Sequence, residues 1–283
     1  MPTPAVPDTY RAFFDDAATF PPGRAPLEDA VRAYLARRPT PLAAAVGPMV
    51  LPVADLPATA ELLARIDPGA APVPVSAVVP LGGLTDAHRV ATEVASRITV
   101  TGWEVKTASD DDLPALVERA GHVVAEGPAV WLELVADQID ETSLAMLGKR
   151  GVGLKFRTGG LTADLFPSAH TLAEVIQGAV RAGVRFKLTA GLHEALRFTS
   201  TVTGLDHHGF LNIAAATAAA RAGADTAVVA ALLGSTDGGQ LTPLTEDGAW
   251  RRSFTSFGTC SIGEPVESLQ RLGLLDPELL SEA

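Results

Sequence analysis

A chain of 283 residues with 47% apolar and 5% aromatic residues can bury a full core, and this balance suits a compact α/β protein. The formal net charge of −11 argues against nucleic acid and anionic membrane surfaces as partners, while leaving room for a local basic pocket that takes a small anion. A single cysteine, Cys260, excludes an internal disulfide and a cysteine-rich metal cluster.

The opening residues show neither a basic nor an apolar leader segment, and no apolar run reaches the ~18 residues of a membrane helix. The expectation is a cytoplasmic protein, with self-association as a homo-oligomer left open. Short apolar segments then read as strands, each closed by turn residues and most followed by a helical pattern. The first strand is read over 11–16 (RAFFDD), ahead of a helix in which Leu27, Ala30, Val31, Tyr34 and Leu35 recur at helical spacing. The second, 42–51, contains Gly47 and Pro48, which predict a bulge or an early end. A helix follows over 57–66. The third strand covers 73–81, with Thr85 as N-cap of a helix to 96. The fourth, 98–107, leads through an acidic cluster to a helix ending near 120, and the fifth, 129–136, to a helix over 141–149. Lys155 closes the sixth strand and Lys187 the seventh. A helix from 210 to 233 and a polar loop precede the eighth strand at 253–258, and a last helix starts at Pro265.

Eight strands alternating with helices, with no linker-like break, predict one (β/α)8 TIM-type barrel domain over 1–283. Residues 194–252 read as a long insertion between strands 7 and 8. An open doubly wound sheet is the alternative, weakened because no GxGxxG follows the first strand and no Walker A sequence appears.

Only four of the 22 basic residues are lysines, and three of them, Lys106, Lys155 and Lys187, fall at strand ends. Lys155 and Lys187 are 32 positions apart, about one βαβ unit, so both should face one cavity at the C-terminal end of the barrel. Two ammonium groups in a dry pocket lower each other's pKa, and a neutral amine attacks carbonyls; Schiff-base chemistry is the expectation. Asp15, Asp16, Glu104, Glu133 and Arg157 sit at the same ends. Arg157 offers a planar fork for a carboxylate or phosphate. Ser256, Gly258, Thr259 and Ser261 precede a helix N-terminus and read as an anion site. His193 is a candidate acid/base and His208 a candidate substrate contact. The spacing of His193, His207 and His208 fits no standard metal motif, so no metal or cofactor is expected. Cys260 reads as a small buried filler.

KFRTG at 155–159, KLTAG at 187–191 and FGTCS at 257–261, in that order, resemble the last three strand-end motifs of deoxyribose-phosphate aldolase and related class I aldolases. Those are a Schiff-base lysine in KTSTG, a second lysine in KxAGG and a phosphate-binding FGASS. FDDAATF at 14–20 is similar to the family's MDLTTL, and WLELV at the fifth strand to its VILET. The match is at motif level in the C-terminal half and in layout only in the N-terminal half. The resemblance implies that Lys155 forms the iminium, that a charged Lys187 lowers its pKa, and that Glu104 relays protons. Phe156 and Arg157 replace the family's small Thr-Ser, so the substrate does not carry over. Arg157, Thr158, Gly159, Gly160, Lys106, Asp16, His208 and the 256–261 segment are expected to hold the anionic group of a small carbonyl substrate. Two other readings stay open. One is a lyase, isomerase or hydrolase using Glu133, His193 and Lys187 as acid/base groups, with or without a metal. The other is a non-catalytic barrel that binds an anionic metabolite.

Overall fold

The computed structural model describes residues 5–160 and 162–280. Eight parallel strands close on themselves: β1 Phe14–Asp16, β2 Val46–Pro52, β3 Val73–Val79, β4 Ile98–Lys106, β5 Ala129–Glu133, β6 Gly153–Arg157, β7 Phe186–Thr189 and, last in the chain, β10 Phe254–Thr259. Their order around the barrel is β1-β10-β7-β6-β5-β4-β3-β2, and β1 pairs with both β2 and β10. Closure rules out the open doubly wound sheet.

Helices α1 Leu27–Arg37, α2 Leu56–Ile66, α3 Leu84–Glu93, α4 Leu113–Glu126, α5 Glu141–Arg150 and α6 Ala169–Arg181 each follow one strand. Between β7 and β10 the chain forms an antiparallel hairpin, β8 Phe198–Thr199 with β9 Asp206–His207, then α7 Phe210–Arg221, α8 Thr226–Gly234 and α9 Gly238–Leu241. The last long helix is α10 Gly263–Arg271. No helix among the described residues is long and apolar enough to cross a membrane.

Several boundaries differ from the sequence reading for local reasons. Residues 11–13 are not strand, because Ala12 takes a positive φ of 45° and the chain turns before β1 begins. Residues 41–44 wind into a 3-10 turn led by Pro41, which delays β2 to Val46. Thr85 lies inside α3, whose N-cap is Gly83. Asp112 caps α4 by accepting from the Ala115 N–H at 3.1 Å, and the helix runs past 120 to Glu126. The single helix expected over 210–233 is two helices: Gly223 adopts a φ of 86°, and Asp225 restarts the chain by accepting from the Val228 N–H at 2.9 Å.

An aromatic cluster on one side of the barrel anchors the closure. Phe13, just before β1, meets Trp250, Phe254 and Phe257 at ring distances of 5.1, 5.1 and 5.2 Å, and Phe210 of α7 stacks on Phe257 at 5.1 Å. The bulge predicted at Gly47 is present as a register shift between β1 and β2. Gly47 also has a steric role: a Cβ there would collide with Asp15 Oδ1. The absent side chain therefore makes room for a carboxylate inside the barrel.

Candidate active site

The strand register sets out the charged side chains before any contact is considered. Lys106 of β4 is level with Glu133 of β5, Glu133 with Lys155 of β6, Lys155 with Lys187 of β7, and Lys187 with Ser256 of β10. Inward side chains at one level of a barrel form a layer. This layer is charged where most such layers are aliphatic.

Glu104, one pleat below Lys106, joins the two lysines. Its Oε2 is 2.7 Å from Lys155 Nζ and its Oε1 is 2.5 Å from Lys187 Nζ, while Ser76 Oγ donates to Oε1 at 2.6 Å. Lys155 has a second partner in Glu133 Oε2 at 2.8 Å, and Lys187 a second in Asp15 Oδ2 at 2.7 Å. Ser256 Oγ donates to the same Asp15 oxygen at 2.8 Å. Lys155 is 6% exposed and Lys187 2%, so these are buried ion pairs in which every carboxylate is bonded. The Trp131 ring supports Lys187 from 5.9 Å. It fits because a Cβ at Gly153 would collide with it.

The electrostatics run opposite to the sequence expectation. Burial works to lower the pKa of Lys155, but the charges of Glu104 and Glu133 outweigh it and hold the ammonium above its ordinary range. Lys187 is likewise raised, burial being outweighed by Asp15 and Glu104. Against its own burial, Glu104 is held well below the usual carboxylate range by the two lysines. The lysines do not depress each other, because a shared carboxylate stands between them.

A cavity of about 690 Å³ opens over this layer at the C-terminal ends of the strands. Lys155, Lys187, Glu104, Glu133, Lys106 and Arg157 all border it, as do Gly160, His193, Gly258 and Thr259. Arg157 reaches Glu133 Oε1 at 3.3 Å. The Lys106 ammonium is exposed on the rim and has no hydrogen bond or ion pair among the described residues. His193 Nδ1 is 2.7 Å from Glu264 Oε2, so the carboxylate fixes the ring. Ala190, with a φ of 63°, and Gly191, with 78°, turn the chain after β7 and bring His193 to the cavity wall.

Six of the expected contacts do not border the cavity. Asp16 points the other way from Asp15 and forms a buried ion pair with Arg37 of α1, as strand alternation requires. Thr158 donates to Ala190 O at 2.7 Å, and a Cβ at Gly159 would stand 2.8 Å from Gly191 Cα; both lock the β6 and β7 turns together. Ser256 is spent on Asp15. Ser261 is engaged at the start of α10, its Oγ accepting from the Glu264 N–H at 3.4 Å and its carbonyl accepting from Thr259 Oγ1 at 2.8 Å. His208 is also turned away: it is buried with Nε2 on Pro167 O at 2.8 Å, and burial lowers its pKa. Its neighbour His207 borders the cavity instead, with Nδ1 on Gly191 O at 3.0 Å and its ring stacked on Phe198.

Asp15 and Ser76, both inside the charged layer, were the residues missed as binding or catalytic groups. The hairpin was missed as a cavity wall, to which it contributes Ser200, Thr203 and Leu205. Among the described residues, no three His, Cys, Asp or Glu side chains converge on a position for a metal ion.

No family model and no curated protein matches the sequence. In structure the chain is similar to the tetrameric deoxyribose phosphate aldolase from Aeropyrum pernix, at 16% identity and a TM-score of 0.52, over 93% of this chain and 92% of that one. It is also similar to a protein described as an aldolase, at 11% identity and a TM-score of 0.53, over 94% of this chain and 97% of that one. At such identities the likeness establishes architecture: the chain has the (β/α)8 barrel fold of these aldolases.

Proposed function

We propose that the chain is a lyase of the aldolase type that forms a Schiff base between Lys155 and a substrate carbonyl. One observation carries this reading: Lys155 Nζ lies at the floor of the cavity between two carboxylates, 2.7 Å from Glu104 and 2.8 Å from Glu133. An ammonium is not a nucleophile, so Lys155 must first pass a proton to Glu133, 2.8 Å away. Attack of the amine on the carbonyl carbon and loss of water then give an iminium, a cation at the same nitrogen. The carboxylates that favour the ammonium favour the iminium equally, and they need no reorganisation to do so. What they disfavour is the neutral amine in between.

Lys187 has a supporting role. Held by Asp15 and Glu104, it keeps Glu104 ionised without competing for the substrate. The iminium then accepts the electron pair of the bond that breaks. A hydroxyl on the leaving fragment needs a base at that moment, and the Glu264-oriented His193 on the cavity wall supplies one. Lys106 and Arg157 take the substrate's anionic group.

A second reading is favoured by the raised pKa of Lys155. A permanently charged Lys155 would polarise a carbonyl by hydrogen bonding, and proton transfer by Glu133 or His193 would follow without a covalent step. Borohydride separates the two. Reduction in the presence of a panel of aldehydes and 2-oxo acids should leave a stable adduct on the wild type and none on Lys155→Met. Turnover without any trapped adduct favours the second reading.

A further inference from the structure

We infer that the substrate of this cavity is amphiphilic: a 2-oxo acid whose carboxylate is held by Lys106 and Arg157, and whose far end is an apolar group of ring size. The inference rests on the Schiff-base reading for its chemistry and on the cavity wall for its shape.

The barrel order sets β1, β2 and β3 on one arc and β4, β5 and β6 on the next. The first arc lines the cavity with Phe20 and Pro22 from the turn after β1, Val50 of β2 and Val78 of β3. Phe166, after β6, and Leu192, after β7, continue the apolar surface from the other side. The second arc contributes Lys106, Glu133 and Arg157. Lys106 has no partner among the described residues, and Arg157 makes only long contacts, 3.3 Å to Glu133 Oε1 and 3.5 Å to Gly159 O. Both cations keep donors free for an anion.

A polyhydroxylated sugar phosphate fits this wall poorly. Its hydroxyls would lie against Phe20, Val50 and Val78 without hydrogen-bond partners, which weakens binding. The hydroxyls of Ser256 and Thr259 are already engaged, at 2.8 Å to Asp15 and 2.8 Å to the Ser261 carbonyl. An aryl or branched alkyl group instead gains from leaving water.

For a 4-hydroxy-2-oxo acid carrying an aryl group at C4, the reaction balances without oxidant or reductant. Lys155 Nζ attacks C2 and water leaves, giving the iminium. The C4 hydroxyl gives its proton to His193, the C3–C4 bond breaks, and its electron pair moves to the iminium. An aryl aldehyde departs and an enamine remains. Protonation at C3 and addition of water release pyruvate and return Lys155.

The test uses the full chain and two readouts. Calorimetry with unreactive probes reads the wall: 4-phenylbutanoate should bind about 10-fold or more tightly than butanoate, from the apolar area of the ring. It should also bind more tightly than 4-phenylbutan-1-ol, and Lys106→Ala with Arg157→Ala should abolish that second preference alone. Val78→Asn, or Phe20→Ala if the first variant does not fold, should reduce the phenyl preference. Equal binding of 4-phenylbutanoate and butanoate, or tighter binding of glycerol 3-phosphate, overturns the inference. Borohydride trapping with pyruvate reads the covalent step separately. A phenyl preference without an adduct on Lys155 supports the amphiphilic substrate and removes the Schiff base; an adduct without the preference does the reverse.

Discussion

Replacing Glu104 by Gln removes one negative charge from between two buried ammonium groups. The amide keeps the shape and the Ser76 hydrogen bond, but both ion pairs, at 2.7 and 2.5 Å, are lost in one step. Breaking a buried ion pair by removing one partner costs about 3–5 kcal/mol. Lys155 retains Glu133 at 2.8 Å and Lys187 retains Asp15 at 2.7 Å, so the lower end, about 3 kcal/mol, applies. For a chain of this length that is a fall in melting temperature of roughly 5–10 °C. The pH dependence has a definite sign. Glu104 is depressed in the fold, so its contribution is present above the ordinary carboxyl value of 4.5 and fades as pH falls through the lower folded value. Lys155 and Lys187 are raised, so theirs is present below 10.5 and fades as pH rises through the higher folded values. The difference between wild type and Glu104→Gln should thus be flat from about pH 5 to 10 and shrink on either side. Calorimetric melting across that range is the assay. A variant melting within about 1 °C of wild type at pH 7, where about 3 kcal/mol is expected, would refute the claim that this carboxylate holds the two lysines.

Asp16→Asn should lower stability by about 3 kcal/mol through loss of the buried Arg37 pair, while the yield of trapped adduct stays unchanged; an altered yield at equal folding would return Asp16 to the catalytic layer. His193→Ala should slow turnover about 100-fold, as expected for loss of an acid/base group. His208→Ala should leave turnover intact and cost about 1–3 kcal/mol of stability from the orphaned Pro167 carbonyl; the opposite pattern would exchange the roles of the two histidines. Gly153→Ala should press on the Trp131 ring beneath Lys187 and destabilise by about 1–3 kcal/mol, readable in urea denaturation, and a neutral result would mean that the ring has room to move.

The barrel and the lysine pair were legible in the sequence because they depend on periodicity and spacing, which the chain states directly. Lys155 and Lys187 take equivalent places on adjacent strands, and the register confirms that they are level. The choice between Asp15 and Asp16 was not legible, since a strand of three residues gives no parity of its own. The available clue was Gly47, read as a bulge signal and also needed for the space Asp15 occupies. His207 and His208 present the same problem: His207 ends the two-residue strand β9, His208 follows it, and the two adjacent side chains face opposite ways. The pKa direction failed for a different reason. The sequence named Glu104 and Glu133, but the sign of a lysine's shift depends on whether a carboxylate or another ammonium is the nearer charge, and that is set by side-chain reach. The hydroxyls of 256–261 looked free because their partners, Asp15 and their own backbone, were invisible as contacts.

The central claim is tested most directly by locating the reduced adduct. The protein is treated with borohydride in the presence of pyruvate, digested, and mapped by mass spectrometry, with the exposed Lys149 of α5 as an internal control. The account predicts the adduct mass on the peptide carrying Lys155 and its disappearance in Lys155→Met. An adduct on Lys187 alone, equal labelling of Lys149, or turnover with no adduct at all would contradict it.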